Sequence, residues 1–310
     1  VRVVFAGSGE FSIPSLRALA ASSHPVELVI TAPDATGNRG RPAPRPVRDL
    51  ARELGLAVSQ PVRLTREWQA ATPQLAAEAL VVCAYGQLIP ASVLALFPRG
   101  ALGVHPSLLP RHRGASPIAA AILGGDAVTG VTIYQMDERL DAGPIVAQEQ
   151  LAIPATATTP QLERELAKVG ARLLLGVLDQ LQLGEVHAWP QELGAVTYSR
   201  KVSRMDGEVD WYLPAREIER RLRALSPWPG VSVPLGGARV KLLAGSAIAS
   251  PPGLEAALPG ALVGGDGDVA VVSTGDGAFA IDLVQPPGGR PMAPLAYLRG
   301  RRPAPAGRSE

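Results

Sequence analysis

The sequence predicts an α/β protein in two parts: a parallel sheet with flanking helices, then a small β-barrel. Three observations predict it. The chain opens strand, turn, helix, strand: Val1–Ala6 is apolar, Gly7-Ser8-Gly9 is a tight turn, Phe11–Ser22 carries Phe11, Leu16, Leu19 and Ala20 near helical spacing, and Val26–Thr31 is a second apolar run. That is the pattern of a βαβ unit. The texture changes after Gly184, where a long apolar-striped segment stops. Beyond residue 206 come short alternating stretches, Val231–Leu235, Val240–Leu243, Val269–Ser273 and Ala278–Val284, divided by Gly, Pro and Asp turns, as in small barrels. The expected division is a first domain over 1–185, a linker over 186–206 and a second domain over 207–310.

Composition agrees with two globular domains: 310 residues, 46% of them hydrophobic. A formal net charge of +2 permits an anionic partner without demanding one. The single cysteine, Cys83, excludes an intrachain disulfide and a thiolate metal cluster, and its apolar surroundings suit a small buried hydrophobe. No metal-ligand cluster stands out. The first strand follows no charged, apolar leader, and no run reaches the ~18 apolar residues of a membrane span. The expectation is a cytoplasmic, monomeric protein without a membrane partner.

Taken in order, the Gly7-x-Gly9 turn resembles part of a dinucleotide fingerprint. Ser12 stands where the third glycine belongs, so a close strand–helix turn is the better reading. Pro33–Pro46 is a long loop rich in Gly, Pro and Arg. Between Asp34 and Arg52 five arginines (39, 41, 45, 48, 52) face two aspartates. Arginine forks match phosphates, and a solvated surface loop is the other reading. Val47–Leu54 reads as a helix, Leu56–Gln60 as a short strand, and Ala79–Ala84 as a central strand leading into the Tyr85–Pro90 loop. After Ala115–Leu123, a helix, come strands over Gly130–Met136 and Ile145–Ile153, joined by the polar loop Asp137–Pro144 with its three carboxylates. Thr159-Pro160 opens a long helix with Leu162, Leu166, Val169, Leu173, Val177 and Leu181 as its stripe. A second-domain helix over Pro214–Leu225 points Ile218, Leu222 and Leu225 inward and Arg216, Arg220, Arg221 and Arg223 outward. From Thr197 to Lys241 nine basic residues outnumber five acidic ones, a modest anion-binding signal that a solvated helix face would also produce. Residues 302–310 should fray.

The chemistry centres on Leu102–Gly114. A short buried strand ends at His105, and open sheets carry their chemistry just past the carboxyl ends of strands. Of four histidines, His105 and His112 both lie here. An imidazole at such an edge suits acid, base or oxyanion work. An aspartate of the 137–144 loop is a turn former unless it faces His105, where it would fix the tautomer and favour the charged form.

His105-Pro-Ser-Leu-Leu-Pro-Arg with Arg113-Gly-Ala-Ser-Pro-Ile, and Thr129-Gly-Val-Thr-Ile with Gln135-Met-Asp and Leu140-Asp-Ala-Gly, resemble the signature of the folate-dependent formyltransferases. The resemblance extends along nearly the whole chain through the Arg-Gly loop, Ala84-Tyr-Gly with Ile89-Pro, Thr197-Tyr-Ser-x-Lys, Asp210-Trp, Arg223-Ala-Leu-x-Pro-Trp-Pro and Val284-Gln-Pro-x-Gly. There it is similar to the branch that acts on initiator tRNA. It implies a Rossmann-like parallel-sheet formyltransferase domain and a C-terminal OB-like β-barrel domain that binds tRNA. It implies transfer of a formyl group from 10-formyltetrahydrofolate, without a metal, to the α-amino group of methionyl initiator tRNA for translation initiation. His105 as imidazolium would stabilise the formyl oxygen or pass a proton, and Asp141 would hold it. Ser107, Leu108, Leu109, Pro110, Tyr85, Gly86 and Ile89 match cofactor-binding positions. Arg39, Arg41 and Arg45 of the loop, with Arg220 and Arg223, would meet tRNA.

One position departs from the family. Gly103 stands where the resemblance calls for an asparagine whose amide binds the developing oxyanion. Losing such a donor typically costs about 3–4 kcal/mol. A water or another polar side chain fills the space, or the enzyme is slower, or the chain keeps binding without catalysis. The first reading predicts that Gly103→Asn leaves activity unchanged or modestly higher. The competing functions are formyl transfer to an amino-sugar nucleotide and tRNA binding without turnover.

Overall fold

In a computed structural model the described residues are 1–34, 44–65, 68–69, 75–250 and 257–300. Arg39, Arg41 and the 302–310 tail lie outside them. The chain forms two compact units, Val1–Ala121 with Asp126–Lys201, and Ile122–Gly125 with Val202–Glu310.

The first unit contains β1 (Val3–Gly7), α1 (Ile13–Ala20), β2 (Val26–Ile30), α2 (Pro46–Glu53), β3 (Val58–Ser59), β4 (Ala79–Cys83), α3 (Ala91–Leu94), β5 (Ala101–His105), β6 (Arg113–Gly114), β7 (Val128–Gln135), β8 (Ile145–Ala152), α5 (Thr159–Leu183) and β9 (Tyr198–Ser199); α4 (Pro117–Gly124), between β6 and β7, belongs to it as far as Ala121. Its main sheet has seven strands in the order β3-β2-β1-β4-β5-β7-β8. Five are parallel, as expected, but β7 runs antiparallel to β5 and β8 antiparallel to β7. The sheet is therefore mixed. Only residues 136–144 join β7 to β8, too few for the crossover a parallel pair needs. Val3, Val4, Phe5 and Ala6 of β1 are wholly buried, the continuous apolar run of a strand covered on both faces. The order reverses between β1 and β4, which is where open sheets form a crevice at their strand ends.

The Gly7 turn is structural. A Cβ on Gly7 would come within 2.8 Å of the Phe5 ring and of Ser12 Oγ. Ser12 donates its hydroxyl to the Cys83 carbonyl at 2.5 Å, tying the turn to β4. The residue that breaks the dinucleotide fingerprint thus has a packing task of its own.

Helix α5 begins at Thr158, whose N–H donates to Gln161 Oε1 at 2.9 Å, and ends at Gly184 with φ 77°. Its buried face is Leu162, Leu166, Ala167, Gly170, Ala171, Leu174, Val177 and Leu178. Val169, Leu173 and Leu181 are only partly buried. The helix packs closely on the sheet at Gly170, where a Cβ would lie 3.1 Å from Val104 and 3.4 Å from Val131. A stripe read from large apolar residues overlooks such small ones. Part of the expected linker also belongs to this unit's hydrogen bonding: Trp189 and Ile145 exchange backbone bonds of 2.8 and 2.9 Å, and β9 pairs in parallel with β6.

The second unit has α6 (Ala215–Leu225), β10 (Val231–Leu235), β11 (Ala238–Ile248), β12 (Leu262–Asp266), β13 (Val269–Ser273), β14 (Ala278–Gln285) and α7 (Pro294–Arg299). The strands form a five-stranded antiparallel sheet in the order β10-β11-β14-β13-β12, the strand count of an OB-like partly open barrel. Phe279, Ile281 and Val272 are wholly buried, and Trp211, against Phe279 at 6.1 Å between ring centroids, donates its indole N–H to the Pro234 carbonyl. In α6, Ala215, Ile218, Leu222, Ala224 and Leu225 are buried. Arg216 is exposed, whereas Arg220, Arg221 and Arg223 are half-buried, so the outward basic face is narrower than expected.

Candidate active site

The strand–turn sequence Val104–Arg113 builds the site around His105. β5 is buried throughout, and His105 at its end is 7% exposed. Its Nε2 lies 3.0 Å from the His112 carbonyl. A carbonyl only accepts, so Nε2 carries the proton. His112 is itself held at φ 56°, with its N–H donating to Thr197 Oγ1 at 2.8 Å and its Nε2 2.7 Å from Asp126 Oδ2. Arg111 bonds the other Asp126 oxygen at 2.7 Å.

Asp141 faces the second ring nitrogen, 3.7 Å from Oδ2 to His105 Nδ1. This is longer than a hydrogen bond, so the carboxylate acts on the ring by charge. Both its oxygens are anchored: Oδ1 accepts the Tyr134 hydroxyl and Oδ2 the Gly114 N–H, each at 2.7 Å. Asp141 has φ 48°, a costly backbone for a residue with a side chain. Gln191 holds it there. Its Nε2 donates to the Asp141 and Gly143 carbonyls at 2.9 and 2.8 Å, and its Oε1 accepts Nε and Nη2 of the buried Arg113 at 3.0 and 2.7 Å. Glycine is needed two residues past Asp141, because a Cβ on Gly143 would overlap the Gln135 carbonyl oxygen.

Burial is the largest influence on His105 and pushes its pKa below the ordinary histidine value, although Asp141 and the bond to His112 oppose it. The resting imidazole is therefore neutral near neutral pH, with its proton on Nε2. This differs from the imidazolium expected from the sequence, because desolvation outweighs one carboxylate at 3.7 Å.

The other sequence-predicted positions fall into three groups. Ser107–Pro110 is bonded internally: Ser107 Oγ donates to the Arg111 carbonyl, the Leu109 N–H to Thr132 Oγ1, Thr132 Oγ1 to the Ser107 carbonyl, and Gln148 Nε2 to the Leu109 carbonyl. Leu108 lies over Gly130. Tyr85 and Ile89 are core residues beside Leu80, Val93 and Phe97, and Gly86 takes φ 78°. The Tyr85 hydroxyl is buried without a hydrogen-bond partner among the described residues, and burial pushes it up to about 12. Arg45 precedes α2 and bonds the Pro44 carbonyl, while burial lowers the Arg223 guanidinium pKa.

The space beside Gly103 is occupied. A Cβ there would overlap the Tyr134 ring, 2.5 Å from Cζ and 2.8 Å from Oη. Sequence reasoning missed Tyr134, Gln148 and Gln191; Thr132, Thr197 and Ser199 fell within quoted motifs but were given no role there. Among the described residues no group of three or more His, Cys, Asp or Glu could hold a metal ion, and no helix is long and apolar enough to cross a membrane.

This chain belongs to the formyl transferase family. The model described as formyl transferase matches residues 1–178, and the one described as formyl transferase, C-terminal domain, matches 201–302. Two full-length relatives share a more particular name. The chain is 43% identical to the methionyl-tRNA formyltransferase of Cereibacter sphaeroides, covering 97% of this chain and 96% of that one. It is 39% identical to the methionyl-tRNA formyltransferase of Heliobacterium modesticaldum, covering 98% of each. Among solved structures it is similar to HypX from Aquifex aeolicus in complex with tetrahydrofolic acid, at TM-score 0.61 and 19% identity. That match covers 96% of this chain and 46% of HypX, so the chain spans about half of HypX, and the likeness is one of fold. The protein is a transferase enzyme.

Proposed function

We propose that this chain transfers the formyl group of 10-formyltetrahydrofolate to the α-amino group of methionyl initiator tRNA, in the cytoplasm, where translation starts. The observation that carries the chemistry is the buried, neutral His105 beside the anchored Asp141 carboxylate at the end of β5. The full-length relatives carry the choice of acceptor.

In the reaction the amine nitrogen bonds to the formyl carbon and the bond from that carbon to the folate nitrogen breaks. His105 takes the proton the amine loses and returns it to the departing nitrogen. Protonation turns the ring into an imidazolium next to Asp141, whose charge stabilises it. The Tyr85 hydroxyl just past β4, buried without a hydrogen-bond partner among the described residues, fits a polar ligand. Because much of Ser107–Pro110 is bonded internally, that stretch would hold the folate by shape more than by new donors. Catalysis is assigned to 1–185, and tRNA contacts to Arg39, Arg41 and Arg45 with Arg220 and Arg223 in 207–310.

The test is formylation of methionyl-tRNA with 10-formyltetrahydrofolate by the wild type and by His105→Ala. The wild type should turn over, and the variant should lose about 10²–10⁴-fold in kcat while still binding tRNA. Salt-sensitive tRNA binding without transfer by the wild type, or transfer to an amino-sugar nucleotide but not to tRNA, overturns the proposal.

A further inference from the structure

Gly103 and Tyr134 are direct partners in the β5–β7 ladder. Side chains so paired normally stand next to one another, with Cβ atoms about 5 Å apart. Here the Tyr134 ring lies across the glycine, in the room a side chain at 103 would fill. Leu109 and Ile145 pack with it, and Tyr134 is 4% exposed. The ring ends in a hydroxyl 2.7 Å from Asp141 Oδ1.

A phenol has one O–H to donate. While it is bonded to Asp141 it is not free for a developing oxyanion, so it does not simply replace an amide donor. It controls the carboxylate instead. With Gly114 on Oδ2 and Tyr134 on Oδ1, the plane of the Asp141 carboxylate is fixed and Oδ2 is kept on the His105 side. Burial and the Asp141 charge both raise the Tyr134 pKa, so it stays a donor at any working pH.

We propose that Tyr134 is a positioning residue of the formyl-transfer site, using the room left by Gly103 to hold Asp141 against His105. This rests on the roles given to His105 and Asp141 above. The groups that face His105 are Asp141 from the 137–144 loop and His112 from the turn after β5, the latter paired with Asp126.

Tyr134→Phe in the full chain tests it, since the ring stays over Gly103 and only the hydroxyl goes. The expected result is a kcat lowered by about 10–100-fold, with KM for tRNA and folate within about twofold of wild type. The acid limb of kcat/KM, and the His105 titration followed by imidazole NMR without substrate, should move to lower pH, because a loosened Asp141 no longer raises the His105 pKa. Gly103→Ala, which pushes the ring off its seat but keeps the hydroxyl, should move the same readouts in the same direction. Wild-type kcat in Tyr134→Phe, or His105 titrating as in wild type in both variants, overturns the proposal. If the wild type transfers no formyl group, the functional reading fails on its own, and the substrate-free titration still decides the role of Tyr134.

Discussion

The backbone carbonyl of His112 lies 3.0 Å from Nε2 of His105 and leaves the imidazole one neutral tautomer. Two histidines seven residues apart thus have unlike tasks: one offers its ring, the other its main chain. Because burial lowers the His105 pKa, the native protein resists protonation while the unfolded chain takes a proton near pH ~6.5. Below that value the unfolded state binds more protons, so stability falls as pH drops toward the lower folded value and is recovered as pH rises. Urea unfolding at about pH 7.5 and about pH 5.5 should show a smaller loss in His105→Gln than in the wild type. Equal losses would mean that His105 is not a source of the acid sensitivity.

Gln191 joins the buried Arg113 to the Asp141 loop through four hydrogen bonds. Gln191→Ala leaves a guanidinium and two carbonyls without this partner. The expected cost is about 1–3 kcal/mol or more, with a fall in kcat as Asp141 leaves its φ of 48°. Chemical unfolding and steady-state kinetics on the same preparation measure both effects. A loss of stability with unchanged kcat would separate the scaffold from the chemistry.

Gly103→Asn, neutral or beneficial from the sequence alone, should instead be harmful. Its Cβ would overlap the Tyr134 ring. Overpacking of this kind costs about 1–3 kcal/mol, and the ring it displaces carries the Asp141 anchor. Melting temperature and kcat should both fall. An unchanged melting temperature would show that the ring can move aside freely.

Leu174 is wholly buried on α5. Leu174→Ala should cost about 2–5 kcal/mol and leave kcat per folded molecule unchanged, since an apolar side chain on this helix offers the reaction no donor, acceptor or charge. Denaturant titration with an active-site count distinguishes this from a catalytic effect.

Arg39→Ala and Arg41→Ala should each weaken tRNA use, seen as a raised KM for methionyl-tRNA and a shallower salt dependence, with folate KM unchanged. A lowered kcat at saturating tRNA would assign these residues a part in the chemistry instead.

The fully apolar β1 and the long α5 were legible because a strand buried on both faces and a striped helix leave direct periodic signals. β12 was not, because Leu-Val-Gly-Gly-Asp has the composition of a turn and becomes a strand only by pairing with β13. The antiparallel β7–β8 edge shows the same limit: apolar alternation marks a strand without giving its direction, and the short 136–144 connection was the clue that mattered. At the site, His105 and Asp141 could be singled out from residue type and motif. Tyr134 could not, since its importance arises from lying opposite Gly103 in a register no local pattern specifies. Gln191 sat in a polar stretch that reads as a connector.

The Gly103–Tyr134 seating has a consequence for how this protein can change over generations. An asparagine at 103 and a large ring at 134 compete for the same volume, so a side chain at 103 should be tolerated only together with a smaller residue at 134. The two residues should be inherited as a unit. A single replacement that is harmless in a relative with a smaller residue at 134 would be harmful here, and its effect would reverse when the partner residue is exchanged with it.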